Sequence, residues 1–208
     1  MTFKEIQDEV EVIVKDNSMF DLIPSVINDI YLEVVNEAKV PSLKTPMSVA
    51  TVVGQSWVSL PSGVFGSLLF AGNTDGGRFT VVGSLEALME EEPELSEEGD
   101  LTKVAKEGSV LWYMQRPATA TNFVVLMLKN PPALVQDAAV PIHIPDYLHR
   151  RCLVYGAAAA VWTVMEDGVD GEKVNTINYS SKFQAGKDML GSWVGRQRRH
   201  VTRSIWSN

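Results

Sequence analysis

One cysteine, Cys152, rules out an intrachain disulfide and is compatible with a reducing compartment. It sits in an apolar run, where a buried, inert thiol is expected. Histidine is scarce as well, with only His143, His149 and His200. His143 and His149 are six residues apart across an expected helix start, so they do not share a face at metal-ligand spacing, and one cysteine permits no Cys/His zinc pattern. No Gly-x-Ser-x-Gly elbow, P-loop or dinucleotide fingerprint is present. The longest near-continuous apolar stretch, Cys152 to Met165, falls short of the ~20 residues a bilayer requires. The opening Met1-Thr2-Phe3-Lys4-Glu5 begins an acidic amphipathic stretch, unlike a signal peptide. Cations are outnumbered, 18 Lys and Arg against 26 Asp and Glu, for a net charge of −8. A duplex binder needs a positive face, so the surface as a whole is not one that grips nucleic acid. The expectation is a protein with no catalytic residue, metal, cofactor or membrane partner.

What is present is ordinary for a globular chain. Hydrophobic residues make up 45% and charged residues 21% of 208 residues, enough for one domain with a sizeable core or a helical body carrying a second layer. Thr2 and Glu5 have capping-box spacing, and Phe3, Ile6, Val10, Ile13 and Val14 follow at helical intervals. Asp16-Asn17-Ser18 breaks that helix. Asp21 is then expected as an N-cap, with Pro24 in the first turn. Leu22, Ile23, Val26, Ile27, Ile30, Tyr31, Val34, Val35 and Ala38 form the clearest helical stripe, ended by Pro41 and Pro46.

From Met47 to Gln136 the period shortens to that of strands. Leu68–Phe70 and Phe79–Val82 flank Gly72-Asn73-Thr74-Asp75-Gly76-Gly77, predicting a hairpin. That loop is glycine-rich but has no lysine, and a turn explains it better than a phosphate cradle. Val110–Gln115 and Phe123–Lys129 flank Arg116 to Thr121, predicting a second hairpin. Between them, Leu85 to Glu107 holds nine acidic residues against two lysines. A solvated loop is the plain explanation; carboxylates serving a metal or catalysis are the sharper one.

Helical periodicity returns near Pro145, a residue suited to a helix N1 position. Tyr147 to Glu166 is apolar almost all round from Leu153 onward, as expected of a buried central helix. A last helix is expected from about Thr176 to Val201, weakened by Gly186, Gly191 and Gly195 at about 1 kcal/mol each relative to alanine. Its end is basic: Arg196, Arg198, Arg199, His200 and Arg203 precede Ile205 and Trp206. Three explanations stand for this arm: complementing the helix dipole in a frayed tail, ordering on a partner through Arg and Trp anchors, or contact with DNA. The fold class expected is α+β: a helical bundle with two N-terminal and two C-terminal helices (residues 1–45 and 142–201), an inserted antiparallel β-sheet or sandwich (46–141) with an acidic loop (85–107), and a basic C-terminal arm (196–208).

Several segments resemble those of tailed-bacteriophage head–tail adaptor (connector) proteins. Gly54-Gln55-Ser56-Trp57-Val58-Ser59-Leu60-Pro61 resembles their strand and Leu-Pro exit after the first helix pair. Leu111-Trp112-Tyr113-Met114-Gln115-Arg116-Pro117 resembles their aromatic strand. Leu126-Met127-Leu128-Lys129-Asn130-Pro131-Pro132-Ala133-Leu134 resembles the next strand with its proline-rich exit. Ile144-Pro145-Asp146-Tyr147, then Leu153-Val154-Tyr155-Gly156-Ala157, resembles the start of their long central helix. The strand Phe123 to Leu128 lacks paired aromatics at its end, and Leu85 to Glu107 resembles an insertion. The resemblance implies a structural virion protein of the neck, made in the host cytoplasm. It would form a homo-oligomeric ring, usually a dodecamer and monomeric alone, between the portal protein and the tail tube or nozzle. Packaged DNA would pass through its lumen without sequence-specific binding. Arg196, Arg198, Arg199, Arg203, Ile205 and Trp206 are then the portal or partner-interface candidates. Glu90, Glu91, Glu92, Glu94, Glu97 and Glu98 are the lumen or tail-contact candidates, where they would repel DNA phosphates. A tail-completion or stopper protein is the nearest alternative. A small enzyme using the carboxylates between Glu86 and Asp100 is the alternative from a different class.

Overall fold

The computed structural model describes residues 1–61, 66–74, 76–167 and 173–205, with the backbone alone described for 198–205. The fold is α+β, with five α-helices and a seven-stranded sheet among the described residues. The chain forms two compact units: Met1–Ser42 with Pro131–Asn208, and Leu43–Asn130 between them.

The helical unit begins with α1, Phe3–Val14. The Thr2 hydroxyl accepts the Glu5 amide at 3.3 Å while the Glu5 carboxylate accepts the Thr2 amide at 2.8 Å, the reciprocal cap its spacing predicts. The expected cap at Asp21 is not found. Asp16 instead accepts both the amide and the hydroxyl of Ser18 at the start of a 3-10 helix, Asn17–Leu22. That turn runs directly into α2, Ile23–Ala38, so no side-chain cap is made there. Pro24 does lie in the first turn of α2. Both helices end on a left-handed lysine, Lys15 at φ 57° and Lys39 at φ 52°.

Pro145 lies outside the helix it was expected to open. It is extended and precedes a 3-10 turn, Asp146–Leu148, followed by a π-helical turn, Arg150–Val154, and then α4, Tyr155–Met165. Cys152, Leu153, Val154, Ala157, Ala158 and Val161 are buried, consistent with the all-round apolar pattern. Burial pushes the Cys152 thiol up to about 12. The last helix, α5, Val174–Ile205, has 32 residues and is about 48 Å long at 1.5 Å per residue. Around α4 pack α1, α2 and α5. A Cβ on Gly156 would meet Ile30 at 2.7 Å and Phe183 at 2.9 Å, so only glycine allows α4 this close to its neighbours.

The inserted unit contains β1 (Lys44–Ala50), β2 (Trp57–Ser59), β3 (Leu68–Asn73), β4 (Arg78–Val82), β5 (Lys103–Glu107), β6 (Val110–Tyr113) and β7 (Asn122–Leu128), with a short helix α3, Leu85–Met89, after β4. The order across the sheet is β1-β7-β3-β4-β5-β6-β2. The expected hairpin of β3 and β4 is present. The second expected hairpin is not: β7 is flanked by β1 and β3, and β6 by β5 and β2. With both edges of each strand filled, they cannot pair with each other. Nor is the sheet wholly antiparallel, because β4 and β5 run parallel. A parallel pair needs a crossover of a dozen or more residues, and the acidic segment supplies it. Val49, Ala71, Val104, Leu111, Tyr113, Phe123, Val125 and Met127 share one core, so the sheet curls to bury one face from nearly every strand. Leu88 and Leu95 of the crossover cover Ala105 on another small core.

Candidate docking surfaces

The acidic crossover is built rather than loose. Ser84 caps α3 through the Ala87 amide. Glu92 is buried, only 8% exposed, and its Oε1 accepts the amides of Ser96 and Glu97. This holds Leu95 at φ +46°, a left-handed conformation unfavourable for leucine. Arg116 completes the clamp: its Nε donates to the Leu95 carbonyl at 3.0 Å and its amide to the Glu97 carbonyl at 2.7 Å. Glu91 is exposed and ion-paired with Lys103. Glu90, Glu94, Glu97, Glu98 and Asp100 are exposed with no ion pair among the described residues. Of the six glutamates singled out in the sequence, Glu92 therefore spends its carboxylate inside the loop and the other five lie on its surface. Among the described residues, no three His, Cys, Asp or Glu side chains are placed to hold a metal ion.

The basic helix carries the opposite charge. Val174–Ile205 holds six cations, Lys182, Lys187, Arg196, Arg198, Arg199 and Arg203, against Asp188 alone. Glu166, just after α4, tethers its start: the carboxylate accepts the Asn175 amide at 3.2 Å, the Thr176 amide at 3.0 Å and the Thr176 hydroxyl at 2.6 Å. These bonds, the Thr176 hydroxyl first, hold the Glu166 carboxyl below the usual carboxylate range. Further along, Lys187 reaches Glu37 at 2.9 Å and Glu33 at 3.4 Å on α2. Arg196 is exposed and borders a shallow depression with Tyr147, Asp188 and Met189. Arg198, Arg199, Arg203 and Ile205 belong to the helix, but their side chains lie outside those described, and Trp206 lies outside the described residues altogether.

Sequence reading missed a second cationic feature. Tyr147, Arg150, Arg151, Tyr155 and Lys182 line a groove of about 500 Å³ between the π-helical turn and α5. Lys182 Nζ lies 5.4 Å from the Tyr155 ring centre and 4.8 Å from that of Tyr179, while the Arg150 guanidinium lies 5.9 Å from Tyr155. Arg150 also pairs with Glu9 at 2.9 Å. Arg151 and Lys182 have no carboxylate partner among the described residues. The available signal was the i, i+3 and i, i+4 alternation of Tyr147, Arg150, Arg151 and Tyr155, opposite Tyr179 and Lys182.

His149 and His143 are held by contacts within the fold. His149 is fully buried, with Nε2 donating to the Ile144 carbonyl at 2.8 Å and Nδ1 facing the Met1 nitrogen at 3.0 Å. Burial above all holds its ring below the ordinary histidine value. His143 bonds the Ser42 hydroxyl at 2.9 Å and stacks on Tyr31. No helix among the described residues is long and apolar enough to cross a membrane.

Exposed charge of both signs, basic on α5 and acidic on the crossover, is thus what these surfaces present among the described residues. No curated protein matches the sequence. The family described as SU10 adaptor protein matches it over residues 1–205. The chain belongs to this family of phage structural adaptor proteins, which makes it a virion component whose contacts are with other virion proteins.

Proposed function

We propose that the protein is a subunit of the head–tail adaptor ring, placed between the portal and the tail tube or nozzle, and that it works without catalysis. The observation that carries this reading is the family match along almost the whole chain, 1–205. In this reading the helical framework (1–45 and 142–201) is a rigid holder, and the inserted β region (46–141) presents the acidic crossover. Twelve copies close around the DNA path, and the DNA passes without sequence-specific binding. The arm 196–208 docks on the portal. Its concentration of arginines supports this, because arginine is a frequent interface anchor. The crossover carboxylates form a second contact surface, facing the lumen, the tail or a neighbouring subunit.

Electron microscopy of the protein mixed with purified portal tests the reading. The expected image is an added ring on the tail-proximal side of the portal. Because α5 runs to Ile205, deleting residues 196–208 is expected to remove no more helical ellipticity than the lost turns carry, to keep a cooperative melting transition, and to abolish docking. Normal assembly of the truncated chain would discard the role given to the arm, and a full-length chain that never joins portal would discard the adaptor reading.

A further inference from the structure

The chain presents two exposed surfaces of opposite charge whose named residues make no ion pair among the described residues. On the groove between the π-helical turn and α5, Arg151 and Lys182 are exposed and lack a carboxylate partner among the described residues. Tyr147, 59% exposed, and Tyr155 add aromatic surface beside them. On the crossover, Glu90, Glu94, Glu97, Glu98 and Asp100 are exposed and make no ion pair among the described residues. Glu92 and Arg116 fix the loop backbone from Leu95 to Glu97, so little backbone ordering remains to be done there on binding.

We propose that the groove of one copy receives the acidic crossover of a second copy, joining subunits head to tail. Two different patches on one chain that fit each other make a heterologous contact, the kind that closes into a ring when the rotation permits. Tyrosines supply the anchor and the charges set register and partner choice. The occupant is more suitably protein than nucleic acid, because the chain carries a net charge of −8 and a duplex would meet the crossover carboxylates as like charge. The assignment rests on the ring reading above and adds which surfaces form the seam.

Charge reversal tests it. Three variants are needed: Arg151→Glu with Lys182→Glu in the groove, Glu94→Lys with Glu97→Lys in the crossover, and all four together. All four residues are exposed, so each variant should keep the wild-type melting curve. Closed rings on portal are counted by electron microscopy, and self-association of the free chain is followed by sedimentation at low and high salt. Each two-site variant is expected to lower ring yield at least tenfold, and the four-site variant to restore it. Wild-type yield from either two-site variant, or no recovery in the four-site one, overturns the pairing and leaves the ring reading standing. Wild-type protein that neither forms rings nor self-associates overturns both. Duplex DNA retained by the wild type and lost by the groove variant, with rings intact, would hand the groove to nucleic acid and end the proposal.

Discussion

Glycine has opposite meanings at different points of α5. A Cβ on Gly186 would sit 2.7 Å from the Arg151 carbonyl oxygen, whereas none of the described neighbours lies within 4 Å of one on Gly191 or Gly195. Gly186→Ala must move backbone and is expected to cost about 1–3 kcal/mol. Gly191→Ala and Gly195→Ala are each expected to add roughly 0.5–1 kcal/mol of stability, since alanine is the better helix former where nothing is crowded. Urea unfolding of the three variants decides the matter, and a stabilised Gly186→Ala would contradict the close approach. Glu166 carries a pH signature. Its folded carboxyl is depressed below the ordinary value of 4.5, so the folded chain holds its proton less readily than the unfolded one. The stabilisation is complete above that ordinary value and fades as pH falls through the lowered one. Melting temperatures of Glu166→Gln are therefore expected to fall less steeply than wild type over about pH 5 to 3. Parallel curves would mean the carboxylate contributes nothing as an anion.

The crossover behaves as one element held from inside by Glu92. Glu92→Ala is expected to speed hydrogen exchange at the Ser96 and Glu97 amides by tenfold or more, with the β5 amides little changed. Unchanged exchange at both would show that Arg116 alone holds the loop. This element also marks where sequence reading reached its limit. The capping box of Thr2 and Glu5, the stripe of α2, the β3–β4 hairpin and the apolar run of α4 were legible because each depends on residues a few positions apart. β5 was not, because its alternation in Lys103–Glu107 is short and follows a run of carboxylates that reads as loop. The pairing of β7 was missed for a different reason. Lys44 lies opposite Leu128 and Ala50 opposite Asn122, a register between segments some 80 residues apart that no local pattern announces. Of the surfaces, the basic arm and the acidic run were visible as composition. The burial of Glu92, and the groove assembled from two separated helical segments, required the fold.

For the whole molecule, one arrangement bears on assembly. The helical unit is written in two pieces, Met1–Ser42 and Pro131–Asn208, around the complete β unit. The apolar stripe of α2, with Ile27, Val34 and Val35 fully or almost fully buried, has α4 and α5 among its packing partners, and these are synthesised after the whole sheet. During translation the part of that stripe that faces α4 and α5 must stay uncovered while the β unit, Leu43–Asn130, is made and closed, since β1 waits for β7. Long-range closure of this kind is slow relative to local helix formation. A nascent chain therefore has no finished groove and no basic helix to offer until the whole sheet has been made, so chain order works against association while the helical unit is incomplete.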